Sequence, residues 1–245
     1  MATNKNKYGL SRHIPEEIQR QIRQQSGFGC VVCGVGLYEY EHIEPEFHDA
    51  EKHDPDCMTL LCPTCHGKVT KRSLSKSTVW KAKKNPITLR QGFSSSSFDF
   101  NTDESPFIVL GGTKVAARVP LTIEGVPILI FSPPVQENTP FLLSGVFFND
   151  NGEKTLEIVD NEWKAFTENW DVTYEGNRIT IKDNHNKKKL VLLLQPPDCI
   201  VVEYLEMKYG GFSVVIDPET LNINGNTFMG GMFSSSSHGI ILGYQ

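Results

Sequence analysis

The C-terminal three fifths of the chain alternate short apolar segments with polar turn sequences. Segments such as VPILIF, KKLVLLLQ and CIVVEYLEM are separated by EGNR, NHNKK, QPPD and INGN. Apolar and β-branched runs bounded by Gly, Pro, Asn and Asp indicate strands joined by tight turns. The pattern therefore predicts a mainly antiparallel all-β domain over residues 107–245, arranged as a sandwich or a meander.

The N-terminal part has a different pattern. The segment IPEEIQRQIRQQSG predicts a helix, because Pro15 suits a first turn and Gly27 a helix end. The following segment, CVVCGVGLYEYEHIEP, predicts a hairpin. The basic stretch after CPTCH predicts a further helix that Ser75 or Ser77 can cap.

Residues 85–106 are rich in Pro, Ser, Gly and Asn and have little periodicity, so a domain boundary is expected there. We expect an α+β protein in three parts. These are a small head over residues 1–90, a linker over 91–106 and an all-β domain over 107–245.

Composition and charge indicate where the protein is expected to act and what the two parts of the chain can bind. The chain has 245 residues, 39% of them hydrophobic, and its polar N-terminus predicts a cytoplasmic protein with no membrane segment. Residues 1–92 carry 14 Lys and Arg against 10 Asp and Glu, whereas residues 93–245 carry 10 against 19. A run without acids at 66–84 includes Lys68, Lys71 and Arg72 and is typical of a phosphate-binding strip, although a solvated face is the alternative.

Four cysteines form two Cys-x-x-Cys pairs, Cys30/Cys33 and Cys62/Cys65. Four soft thiolates are the ligand set of a closed structural zinc site. A redox pair is the competing interpretation, but it lacks a βαβ context and leaves the second pair unexplained. The sequence therefore predicts structural zinc.

A closed zinc site does no chemistry, so the neighbouring residues decide the function. Glu41 and His42 are adjacent, and His66 follows the last zinc cysteine. Side chains alternate along a strand, so Glu41 and His42 can share one site only if the chain bends there.

These segments together, CVVC at 30–33, EHIEP at 41–45 and LLCPTCHGK at 60–68, resemble the HNH endonucleases of the ββα-metal class over about residues 10–85. The resemblance implies a zinc-stabilised head that hydrolyses DNA. It implies that His42 is the general base, that Glu41 and His66 bind a catalytic Mg²⁺ or Mn²⁺, and that Lys68 and the basic strip hold the DNA backbone. Such nucleases with an attached domain commonly act against foreign DNA, which suggests prokaryotic or anti-phage defence.

One position departs from the family pattern. Where the family has its middle asparagine, this chain has Cys57, and a thiol is a poor substitute for an amide in hydrogen bonding. Asp54, Asp56, His48 or His53 can compensate. Alternatively, the loop that contains them is a solvated insertion, or His48 and His53 reach the metal ion themselves.

Three functions therefore remain open: an active nuclease, a zinc-stabilised nucleic-acid-binding module without activity, and a chain whose β domain binds a ligand or partner or forms a homo-oligomer. Four aromatic residues of the β domain are expected in its core, with a pocket lining as the alternative: Trp163, Phe166, Trp170 and Tyr174.

Overall fold

The computed structural model describes residues 5–100, 105–134, 136 and 139–243. The protein is a mixed α+β protein with mostly β content. Its chain divides into two compact units, residues 1–96 and 97–245. Of the predicted linker, residues 101–104 lie outside the described residues.

The first unit contains four helices, among its described residues, and a two-stranded sheet. Its elements are α1 (Glu16–Gln25), β1 (Glu39–His42), β2 (Met58–Leu61), α2 (Pro63–Thr70), α3 (Lys76–Lys84) and α4 (Ile87–Gln91). Single 3₁₀ turns at Phe47–Asp49 and Pro55–Cys57 interrupt the loop between β1 and β2. Strand β3 (Phe93–Ser97) lies inside the segment where an irregular linker was predicted.

The predicted N-terminal helix is confirmed as α1. Pro15 precedes its first turn, and Glu16 and Glu17 complement the positive end of its dipole. Its apolar face buries Ile22 completely, in a cluster with Met58 and Leu60 of β2. This packing anchors the two-stranded sheet.

The predicted hairpin within residues 30–45 is wrong in its pairing. Strand β1 pairs with β2 across a long loop, with Glu39 opposite Leu61 and His42 opposite Met58. Residues 31–33 form a turn, because the Cys30 amide donates to the Val35 carbonyl at 2.8 Å and the Gly34 amide donates to the Cys30 carbonyl at 2.8 Å. The turn brings Cys33 back beside Cys30, which an extended strand would not do.

The basic stretch forms two helices. Helix α2 begins directly after Cys62, and Arg72 just after its end adopts a left-handed conformation with φ of 59°. Ser75 caps α3, as predicted, by accepting a hydrogen bond from the Thr78 amide at 3.1 Å. The turn between the helices directs Arg72 and Lys76 toward the same cavity wall.

Where the structure describes the second unit, its regular elements are strands. Their bounds are β4 (Phe107–Leu110), β5 (Thr113–Ala116), β6 (Val119–Ile123), β7 (Val126–Ser132), β8 (Leu142–Phe148), β9 (Lys154–Val159), β10 (Glu162–Phe166), β11 (Asp171–Glu175), β12 (Arg178–Lys182), β13 (Lys188–Gln195), β14 (Cys199–Tyr209), β15 (Phe212–Ile216), β16 (Thr220–Ile223), β17 (Asn226–Met229), β18 (Gly231–Ser234) and β19 (His238–Leu242).

These strands follow mainly antiparallel order. Strands β6 to β10 pair consecutively in one sheet, and β11 to β17 form a second consecutive meander. In the described part of the chain, three parallel pairs add strands beyond the predicted antiparallel pattern: β4 with β14, β5 with β18 and β6 with β19. Periodicity identifies strands but not their distant partners, so these parallel pairs were not predictable.

The four aromatic residues of the second unit divide between core and surface. Trp163 is 1% exposed and packs against Tyr174, whereas Trp170 is 44% exposed. Phe166 and Tyr174 are half-buried. Among the described residues, no helix has the length and apolarity needed to cross a bilayer.

Candidate functional site

The four predicted zinc cysteines converge. Their sulfur atoms all lie within 4.8 Å of one another, and Cys33 Sγ is 3.6 Å from Cys62 Sγ. A tetrahedral zinc site with bonds of about 2.3 Å separates its sulfur atoms by roughly 3.8 Å. The group can therefore hold a structural metal ion such as zinc, as predicted.

Two short elements build this four-cysteine cluster. The turn after Cys30 carries one pair, and the start of α2 carries the other, where Cys62 Sγ accepts a hydrogen bond from the Cys65 amide at 3.4 Å. Cys30, Cys62 and Cys65 are buried, with Val31, Leu61 and Val79 in the same apolar cluster. Cys33 is exposed, so an ion bound by the four cysteines would be accessible to solvent on the side of Cys33.

Electrostatics favour a cation at the centre of the cluster. Contact with Cys33 lowers the pKa of Cys30 to about 5, whereas the neighbouring Cys30 sulfur raises the pKa of Cys33 far above its ordinary value. Burial raises the pKa of Cys65 to about 12. Thiolates packed this closely repel one another, and a bound divalent ion removes that repulsion.

A cavity of ≈690 Å³ lies beside the cluster, in the same unit. Glu41, His42 and His66 all line it, although Glu41 and His42 are neighbours on one strand. His42 is the last residue of β1, so the regular alternation of side chains along the strand ends there. The structure thus brings together the three residues that the sequence selected.

His66 is held between two carboxylates of β1. Its Nδ1 lies 2.5 Å from Glu39 Oε2, and its Nε2 lies 3.0 Å from Glu41 Oε2. Glu39 and Glu41 are two residues apart and so project from the same face of the strand. Glu41 is the more enclosed of the two, with its side chain 14% exposed against 50% for Glu39.

His42 contacts a second histidine. Its Nε2 is 3.1 Å from His53 Nδ1, and His53 Nε2 is 2.9 Å from the carbonyl oxygen of Ser11. Burial, with smaller contributions from the neighbouring His53 and Arg12 side chains, lowers the pKa of His42 to about 4. His42 is therefore uncharged at neutral pH, as a proton acceptor must be.

Burial also raises the pKa of Glu41, and the carboxylates of Glu46 and Glu39 add to this effect, while His66 and Lys76 oppose it. This is the electrostatic signature of a carboxylate in an acidic, partly enclosed position.

Basic residues form part of the cavity wall. Arg12, Arg72 and Lys76 line the cavity, and the Arg12 guanidinium lies over the Phe47 ring at 4.5 Å. Lys76 forms an ion pair with Glu46. The predicted DNA-contacting residues Lys68 and Lys71 are exposed on and just after α2 but are not among the described residues that line the cavity, since His66, Val69 and Thr70 occupy the inward face of that helix.

The loop between β1 and β2 is only partly a solvated insertion. His53 is buried, at 8% exposure, whereas His48 is exposed and pairs with Glu46 and Asp49. Among the described residues, the four cysteines are the only group of three or more His, Cys, Asp or Glu close enough to share an ion, so His48 and His53 do not form one with the cavity carboxylates.

Cys57 is not among the residues that line this cavity. It borders a second cavity, of ≈470 Å³, together with His42 and Asp54. Its carbonyl accepts a hydrogen bond from the Ile43 amide at 3.0 Å. Asp54 caps the 3₁₀ turn Pro55–Cys57, since its side chain accepts a hydrogen bond from the Asp56 amide.

Sequence reasoning missed Glu39 and Arg12. The two-residue spacing of Glu39 and Glu41 on a predicted strand was a signal for Glu39. Arg12 is separated from His42 by a helix, and no local pattern connects them.

Comparisons with known proteins give no relative: no family model matches the chain, and no curated protein or solved structure matches it significantly.

Proposed function

We propose that this protein is a metal-dependent endonuclease that hydrolyses phosphodiester bonds of DNA, with an active site in the head. The observation that carries the proposal is the convergence of Glu41, His42 and His66 on one cavity beside the four-cysteine cluster. The order of elements supports it, because β1 and β2 pair antiparallel and α2 follows directly.

Glu41 and His66 suit a hydrated divalent ion. Two neighbouring ligands of an octahedral Mg²⁺ or Mn²⁺, each about 2.1 Å from the ion, lie roughly 3 Å apart. The Glu41 and His66 ligand atoms are 3.0 Å apart. An ion there would stabilise charge on the phosphate and on the leaving oxygen.

The remaining groups supply proton transfer and phosphate binding. His42, unprotonated at neutral pH, accepts the proton of the attacking water. Arg12 and Arg72 provide guanidinium groups suited to phosphate oxygens. Phosphate contacts carry no sequence information, so cleavage tolerant of sequence is expected.

Plasmid cleavage tests the proposal. Wild type should nick or linearise plasmid with Mg²⁺ or Mn²⁺, and H42A should lose this activity while keeping its zinc and its melting temperature. H185A, at an exposed histidine of the second unit, is the matched control. Cleavage by H42A at the wild-type rate would contradict the assignment of the base.

The inactive alternative predicts a different result. Salt-dependent DNA binding without cleavage under any divalent ion would favour a zinc-stabilised nucleic-acid-binding module. In that case, C57N restores the amide of the family pattern, and recovered cleavage would place the defect at Cys57.

An assembly role for the second unit stays a proposal. Strands β17 and β18 expose four large apolar side chains, Phe228, Met229, Met232 and Phe233. Exposed apolar surface of this kind is typical of protein contacts. Light scattering of the full chain, compared with a variant carrying Ser at these four positions, would show whether it self-associates.

A further inference from the structure

A chain of hydrogen bonds runs from the backbone to His42. The carbonyl oxygen of Ser11 is 2.9 Å from His53 Nε2, and His53 Nδ1 is 3.1 Å from His42 Nε2. Both nitrogens of His53 are thus engaged, one with the backbone ahead of α1 and one with the candidate base.

The chemistry of the partners sets the direction of both bonds. A carbonyl oxygen can only accept, so His53 Nε2 must carry a proton. In neutral His53, Nδ1 then holds a lone pair and accepts a hydrogen bond from His42 Nε2. Neutral His42 consequently has its own lone pair on Nδ1.

Packing holds this arrangement in place. His53 is 8% exposed, and the Phe47 ring stacks against it at 6.5 Å between centroids with 14° between planes. Phe47 also meets the edge of His42 at 5.5 Å, and Arg12 covers Phe47. The part of this loop that carries Phe47 and His53 therefore packs against His42.

We propose that His53 is the positioning residue of the base: it holds His42 in the tautomer protonated on Nε2, so that Nδ1 takes the proton from the attacking water. This inference rests on the nuclease function proposed above for the use of that nitrogen. The water oxygen bonds to phosphorus as its proton passes to Nδ1. The bond from phosphorus to O3′ breaks, and O3′ keeps the electron pair and takes a proton from solvent.

This role of His53 differs from metal binding, and it differs from the role of the family's middle asparagine, whose position Cys57 occupies. His53 has no free nitrogen for an ion, because Ser11 and His42 use both. Cys57 borders the second cavity, which His42 also lines. The contact that orients the base thus comes from the imidazole ring of His53 in the loop.

The tautomer can be measured without any cleavage assay. Long-range ¹H–¹⁵N spectra of the zinc-loaded full chain distinguish protonated from unprotonated ring nitrogens, and H42Q assigns the His42 signals. We expect His42 to be protonated on Nε2 alone and His53 on Nε2. A His42 protonated on Nδ1 would overturn the proposal, whether or not the protein cuts DNA.

Two variants test the cause. H53F preserves bulk but removes the acceptor, so His42 should become a mixture of tautomers. H53N keeps an oxygen acceptor near the position of Nδ1 and should retain part of the preference. An unchanged His42 tautomer in H53F would overturn the proposal. If H53F loses zinc or melts at a lower temperature, the His42 tautomer in the wild-type spectrum still tests the proposal.

Kinetics then connect the tautomer to catalysis. The single-turnover cleavage rate of H53F should fall, by at most the roughly 10²–10⁴-fold that a general base contributes, while its affinity for DNA stays unchanged. H53N should recover part of the rate, and H185F should match wild type. A wild type with the expected tautomer but no cleavage would refute the nuclease function and leave the positioning intact.

Discussion

The carboxylate of Glu39 and the Nδ1 atom of His66 lie 2.5 Å apart, on the side of the imidazole opposite Glu41. If Nδ1 donates its proton to Glu39, the lone pair of Nε2 faces the Glu41 carboxylate at 3.0 Å. Two acceptors this close attract only when a proton or a metal ion lies between them. Under the proposed function, Glu39 thus orients His66 for the ion, as outer carboxylates orient metal-binding histidines.

E39Q should therefore weaken binding of the proposed catalytic ion. Losing the charged acceptor removes the contact that orients the His66 ring, and such losses typically cost about 10–100-fold in metal affinity. Titration of Mn²⁺ followed by electron paramagnetic resonance measures it directly. E44Q, at an exposed glutamate beyond the end of β1, should bind as wild type does. Equal affinity in E39Q and E44Q would contradict the role of Glu39.

Loss of one cluster cysteine should unfold the head. C65S removes a ligand from a cluster whose sulfur atoms lie within 4.8 Å of one another. Structural zinc contributes on the order of 10–16 kcal/mol of apparent binding free energy, more than a small unit can lose. Elemental analysis should find one zinc ion per chain in wild type and less in C65S, and the thermal transition of the head should disappear.

C57S is the matched control for the zinc experiment, because Cys57 lies outside the cluster. It should keep one zinc ion per chain and the wild-type transition. Loss of zinc in C57S, or retention of one ion per chain in C65S, would show that the ligand set is different.

Basic residues on the cavity wall should matter more for DNA than basic residues on the outer face of α2. R12Q and R72Q remove guanidinium groups that line the cavity, whereas K71Q changes an exposed lysine outside that lining. Removing one side chain that neutralises a phosphate should reduce the slope of log binding constant against log salt by about 0.9 on duplex DNA. Fluorescence anisotropy at several salt concentrations checks this, and an equal change in all three variants would indicate a diffuse basic surface.

Alkali should destabilise the second unit through Cys199. Burial raises the pKa of this thiol from 9.0 to about 11, so above pH 9 the unfolded chain ionises while the folded chain keeps its proton. The stability contribution is complete below pH 9 and is lost as the pH rises toward 11, by about 3 kcal/mol in all.

Urea unfolding of wild type and C199V at several pH values isolates this effect, because other groups titrate equally in both proteins. Between pH 9 and 11, wild type should lose about 3 kcal/mol of stability relative to C199V. A difference independent of pH would mean that the thiol is not buried in solution. Slow labelling of native Cys199 by a thiol reagent at pH 8 should accompany the effect.

Local pattern predicted the elements well and their partners less well. Helix α1, the Ser75 cap and the recurring strands of the second unit follow from signals within a few residues of each element. The pairing of β1 with β2 does not, because the intervening loop separates them by 15 residues and the nearer segment around Cys30 looked like a strand. Residues 31–33 form a turn that brings Cys30 and Cys33 together, although Val31 and Val32 have high β propensity.

The sequence by itself determined the candidate residues: two Cys-x-x-Cys pairs, a carboxylate next to a histidine, and a second histidine directly after the second pair. Short spacings restrict where those atoms can go, so they could be chosen without a fold. Only the tertiary structure decided which side chains support them. His53, Glu39 and Arg12 reach His42 and His66 through a buried loop, a strand face and the segment before α1, and contacts between such distant segments depend on packing rather than on local spacing.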